Sequence, residues 1–199
     1  MKQMLAFLAV VLLVCQPAFS NLLPSMGVDA YVQAPKIRTY SASSNTFTPY
    51  ATPSDICVLG GIATKVIKVY HVRVFGTQTS AGVNGFFIIK RSTYNTGSQN
   101  SLTAVPHDSQ TIAAGADIAQ FTAAPTSLGT LVGVVRGADV FTPAPASTTS
   151  GGWYDFDFGP NTGVQPILLR ANQMLAVNFG GAAVPSGLVM SCEFSWTEE

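Results

Sequence analysis

The alternation of apolar and polar side chains changes character near residue 54. Beyond that point short apolar runs recur between turn residues, the pattern of a sandwich or barrel. The clearest run closes the chain: Leu188, Met190, Cys192, Phe194 and Trp196 alternate with Val189, Ser191, Glu193, Ser195 and Thr197. This predicts a strand whose first set faces a core. Segment 173–179 puts Leu175, Val177 and Phe179 on one side and Met174, Ala176 and Asn178 on the other. Segment 153–158 turns Tyr154, Phe156 and Phe158 inward and Asp155 and Asp157 outward. Further strands are predicted at 55–59, 117–122, 128–136, 138–141 and 166–170, with a turn at 161–163. The run 65–75 is rich in β-branched and aromatic residues but carries charges on both faces, which a β-bulge would explain. It is expected to pair with 86–91 as a hairpin across a long loop at 77–85. The sum is an all-β, jelly-roll-like two-sheet sandwich of about 8–10 strands.

The stretch 21–53 has little periodicity and much Pro, Ser, Thr and Asn, and reads as an extended arm or linker before a sandwich domain at 54–199. Residues 1–20 read as an address. Lys2 precedes an unbroken apolar run from Met4 to Val14, and Ala18 and Ser20 place small residues where a signal peptidase reads them. The run is too short to span a bilayer comfortably, since a spanning helix takes roughly 20 apolar residues. No stable membrane span is therefore expected once the signal is removed. Cleavage after Ser20 would remove one of three cysteines and leave Cys57 and Cys192. An even count in an exported chain permits a disulfide between them; two buried free thiols acting as small hydrophobes are the equal alternative.

Only 10% of residues are charged and the formal net charge is zero. No basic field collects nucleic acid and no acidic field collects cations. Weak charge also does little to oppose self-association, so an oligomer or an assembled particle is expected. Candidate chemistry is sparse. His107, Asp108 and Ser109 are adjacent in sequence, which rarely gives the geometry of a catalytic triad, and no Gly-x-Ser-x-Gly elbow accompanies them. Asp155, Asp157 and Glu193 could offer carboxylates to calcium, but a solvated strand face is the preferred reading. Gly60 to Lys65 lacks phosphate-loop spacing and reads as a turn before a strand, so no cofactor is expected. Gly129, Gly133 and Gly137 would line one face of a strand and allow close contact. Lys90 and Arg91 form a lone basic pair at a strand end.

Several segments resemble a group of tailed-phage and prophage proteins described as virion-associated. They include Arg73-Val74-Phe75-Gly76-Thr77, Thr103-Ala104-Val105-Pro106-His107-Asp108-Ser109 and Trp196-Thr197-Glu198-Glu199, with 61–69, 89–92, 128–133 and 175–179. Together they cover much of 54–199. The resemblance implies a virion structural or accessory protein of decoration or fibre type, with a sandwich fold and no catalytic residues. With the low charge, it implies that its partners would be copies of itself, most simply in a homotrimer, other virion proteins or a cell-surface ligand. The export-like N-terminus keeps a second expectation in play, a secreted bacterial adhesin or glycan-binding module. Either way the expected protein is not an enzyme.

Overall fold

The fold was described from a computed structural model, in which residues 37–50, 52–110, 112–142, 150–159, 165–180 and 184–199 are described. The signal-like segment 1–20, the arm as far as residue 36 and the turn at 161–163 lie outside them. The described residues hold twelve strands and no helix: β1 Arg38–Ser43, β2 Ser54–Gly60, β3 Ile67–Gln78, β4 Gly82–Arg91, β5 Gln99–Ser101, β6 Val105–Pro106, β7 Asp117–Phe121, β8 Leu131–Thr142, β9 Ser150–Asp157, β10 Ile167–Leu169, β11 Met174–Phe179 and β12 Val189–Glu198. No helix among these residues is long and apolar enough to cross a membrane.

Two antiparallel sheets of six strands result. The first runs β10-β3-β12-β1-β6, with β9 also paired to β3; the second runs β5-β7-β2-β11-β4-β8. With the short β5, β6, β7 and β10 set aside, the neighbours are β1-β12-β3-β9 and β2-β11-β4-β8. Such an order makes the chain pass repeatedly between sheets and is the double Greek key of a jelly roll. The expected hairpin of β3 with β4 does not form, because the two strands lie in different sheets. Residues 79–81 instead carry the chain from one sheet to the other, and β4 pairs with β11 and β8.

Among the described residues the sandwich extends back beyond residue 54 to β1. The last part of the expected arm is a strand: β1 pairs along its whole length with β12, from Arg38 opposite Glu198 to Ser43 opposite Glu193. It gains its place by burying Tyr40 and Ala42, with the Tyr40 ring stacked on Trp196 at 5.9 Å. The bulge expected in β3 is present: Ser195 and Trp196 oppose His71 and Val69, so Tyr70 is the extra residue. It resets the inside-outside alternation, leaving Ile67 and Val69 buried before it and Val72 and Val74 after it.

The core lies between the sheets and takes Leu188, Met190, Cys192, Phe194 and Trp196 from β12 and its approach, facing Leu175, Val177 and Phe179 of β11. Cys57 and Cys192 are joined there, Cα atoms 6.4 Å apart, as a disulfide. The two cysteines belong to opposite sheets, so the bond ties the layers together through the core. Sheet two is buried on its other side as well, where Val58, Ala119, Phe121, Met174 and Ala176 form a second apolar cluster.

Two outcomes test this packing. Trp196 is fully buried and stacked, so Trp196→Ala should cost about 3–5 kcal/mol in chemical denaturation. Native protein alkylated without reductant should keep Cys57 and Cys192 unmodified. With a sequence separation of 135 between the cysteines, loss of the bond should cost about 4–5 kcal/mol in the chain-entropy account.

Candidate functional site

Outward-facing side chains of β3, β9 and β12 come together because β3 lies between the other two. Past the bulge, His71, Arg73, Phe75 and Thr77 alternate with the core residues of β3, while Trp153, Asp155 and Asp157 alternate with those of β9. The register aligns them in rows. Arg73 stands opposite both Asp155 and Glu193, and Phe75 opposite both Trp153 and Ser191.

The charged row is organised around Arg73. Its Nε donates to Asp155 Oδ1 at 2.6 Å and its Nη2 to Oδ2 at 3.4 Å, while His71 Nε2 lies 3.1 Å from Oδ1. The hydrogen bonds from Arg73, with its charge, hold the Asp155 carboxyl below its ordinary value, and the same pairing raises Arg73. On the other flank the Glu193 carboxylate feels the Arg73 charge but accepts no hydrogen bond among the described residues. Next to this row Trp153 is 71% exposed, a high value for a residue type usually well covered. Phe75 lies half-buried beside it. Two shallow troughs meet at this aromatic pair: one of about 450 Å³ bounded by Arg73 and Glu193, the other of about 510 Å³ running toward Thr46 and Val189.

No family model, curated protein or solved structure matches the chain. Its site is therefore read from its own geometry. Asp155, Asp157 and Glu193 do not converge: β3 separates Asp155 from Glu193 and puts Arg73 between them, and Asp157 Oδ1 accepts from the Gly159 amide at 2.6 Å. No cluster of three potential metal ligands occurs among the described residues. His107 and Ser109 are exposed, and Asp108 Oδ1 caps a local turn by accepting from the Gln110 amide at 3.1 Å. Gly60 and Gly61 end β2 and enter the turn at 61–66, where a Cβ on Gly61 would collide with the Arg170 carbonyl.

Lys90 and Arg91 do not act as a pair. Lys90 Nζ donates to the Leu168 carbonyl at 2.8 Å, and burial, with Arg170 nearby, lowers its pKa. Arg91 is buried and clamps Asp55 with bonds of 2.6 and 3.1 Å. The alternation in sequence missed that network, because a bulge at Ile56 turns Asp55 away from the core side. It also missed Glu198, whose side chain is fully buried and accepts from Lys65, Gly115, Ala116 and Trp196. Burial pushes the Glu198 pKa up, but these four donors together outweigh it and hold the group below its ordinary value. Stability from Glu198 is thus present above its unfolded-state pKa and is lost as pH falls through the depressed folded value.

A second exposed feature is β8, the outer strand of sheet two. Leu128, Leu131, Val132, Val134 and Val135 are all exposed, four of them between 46% and 58%. The register with β4 skips Val132 and Val135, so two bulges break the alternation and leave apolar side chains on both sides of the strand. The glycines do not form one face: a Cβ on Gly129 would strike the Thr93 carbonyl, one on Gly137 the Phe87 ring, and one on Gly133 nothing within 4 Å.

The Arg73 pairing is directly checkable. A carboxyl-detected NMR titration should place Asp155 below the ordinary aspartate range, and Arg73→Gln should move it upward.

Proposed function

We propose that this chain is a non-enzymatic structural protein of a virion surface, of decoration or fibre type, that works by assembling with copies of itself. The observation that carries this reading is the apolar strip from Leu128 to Val135, at the start of the edge strand β8 and the residues leading into it. Edge strands are normally blunted by charge, proline or bulges. This one is bulged, which discourages open-ended strand pairing, yet five large apolar side chains stay in water within eight residues. A patch of that kind is favourable to cover. A second copy is a suitable cover because the chain has no net charge, so two copies meet without repulsion. The resemblance of the segments within 54–199 to phage virion-associated proteins gives the assembly its setting, and jelly rolls serve both as capsid and as lectin domains. Fold alone does not choose between those uses.

The alternative of a secreted adhesin or glycan-binding module draws on a different observation, the bare aromatic and charged face of sheet one. A disulfide through the core also suits an exported protein.

Light scattering at micromolar concentration should find a homo-oligomer, most simply a trimer, and Val132→Asp with Val134→Asp should reduce it to a folded monomer. A wild-type chain that is monomeric under these conditions refutes assembly through β8.

A further inference from the structure

We propose that the outer face of sheet one binds a neutral oligosaccharide, with a pyranose ring stacked on Trp153 and its hydroxyls bonded along the Asp155, Arg73 and Glu193 row. The proposal rests on this face alone and is independent of assembly through β8.

Four properties of the face select the ligand. The first is the open indole. Trp153 is 71% exposed although an indole offers a large area whose removal from water is favourable. A flat apolar surface of one ring's size suits a flat apolar partner, and the C–H face of a pyranose is one. The second is the polar row beside it. Arg73 offers fixed donors and the two flanking carboxylates offer acceptors, with that of Glu193 free of any hydrogen bond among the described residues. Sugar hydroxyls both donate and accept, so adjacent hydroxyls can bridge such a row.

The third property is charge. One cation between carboxylates gives no positive field, which disfavours nucleic acid and other polyanions. The fourth is size. The trough of about 450 Å³ between Arg73, Phe75, Trp153 and Glu193 lies within the range of small-ligand sites. A protein partner wants a continuous apolar centre that becomes fully buried, and this face offers only one open ring, a half-buried Phe75 and a partly exposed Val189, with the charged row running beside them. The second trough continues the first past the same two rings toward Thr46, so room exists for more than one sugar unit in a line.

The chain provides its own reporter. It has two tryptophans, Trp196 fully buried and Trp153 exposed, so a ligand-dependent change in emission reports Trp153. The full-length protein is titrated with cello-, malto-, manno-, galacto- and chitohexaose. At least one should shift the emission to shorter wavelength and saturate with Kd on the order of 1 mM or tighter. By calorimetry with that sugar, Trp153→Ala and, separately, Glu193→Gln should weaken binding about tenfold. Both side chains are on the surface, so circular dichroism and melting should be unchanged. The Val132→Asp, Val134→Asp variant should bind as the wild type does, which separates this result from the fate of the assembly reading. The proposal is overturned if none of the five sugars changes the emission at about 10 mM, or if Trp153→Ala binds undiminished. It is equally overturned if Trp153→Ala dissociates the oligomer, because a second copy then occupies the face.

Discussion

A carboxylate as deeply buried as that of Asp55 is tolerable only if its charge is met by donors, since an uncompensated buried charge costs several kcal/mol. The surrounding fold supplies them from three directions. Arg91 arrives from β4, Asn178 from β11 and Asn95 from the segment after β4, each within hydrogen-bond distance. The same donors reach further. Arg91 Nη1 bonds the Gly129 carbonyl and Asn95 Oδ1 accepts the Gly129 amide, so the entry to β8 is tied to the same carboxylate. Glu198 repeats the arrangement at the end of β12, pinning 115–116 and Lys65. With only ten acidic and ten basic residues in the chain, two of the acids are spent inside the protein as fasteners for segments that alternation alone would leave loose.

The consequence is an unequal pair of sheets. The far side of sheet two is roofed by the segment after β4: the Tyr94 ring sits where a Cβ on Gly60 would be, and the Asn95 amide donates to Met174 Sδ. All six residues of β11 are buried for that reason. Among the described residues sheet one has no such cover over β3 and β9, and the side chains left in water there are an indole, a half-buried phenyl group and a row of charges. Packing therefore leaves an aromatic and charged face in water on one sheet and an apolar edge strand in water on the other.

Legibility in the sequence followed how local each feature is. Strands β9, β11 and β12 were readable because large apolar residues alternate within them, and the bulge in β3 because charges broke that alternation. Strand β1 was hidden: Tyr40 is its one large apolar residue, Ala42 gives a weak signal, and Pro and Ser surround it. The β3-β4 hairpin was misread because alternation assigns faces and says nothing of which strand is the neighbour. The candidate site suffered from the same limit. The outward parity of Trp153, Asp155 and Asp157 was legible, and so was that of Glu193, but the placing of Arg73 between the carboxylates depends on strand order. Cys192 shared the core face visibly, whereas for Cys57 both sides of β2 carry apolar residues, so its inner face depended on the partner sheet.

The pairing of β1 with β12 also has a consequence in time. Arg38 and Glu198 are partners from opposite ends of the described chain, and β12 is the strand that joins β1 to β3 in the middle of sheet one. During synthesis at about 5–20 residues per second, the first strand waits several seconds or more for its partner. Until 189–198 emerge, β1 and β3 have no shared neighbour, Cys57 lacks its partner Cys192, and the apolar inner face of sheet two stays open. The sandwich is thus assembled late, by one strand inserted between two that are already present, and non-local closure of this kind makes for slow folding.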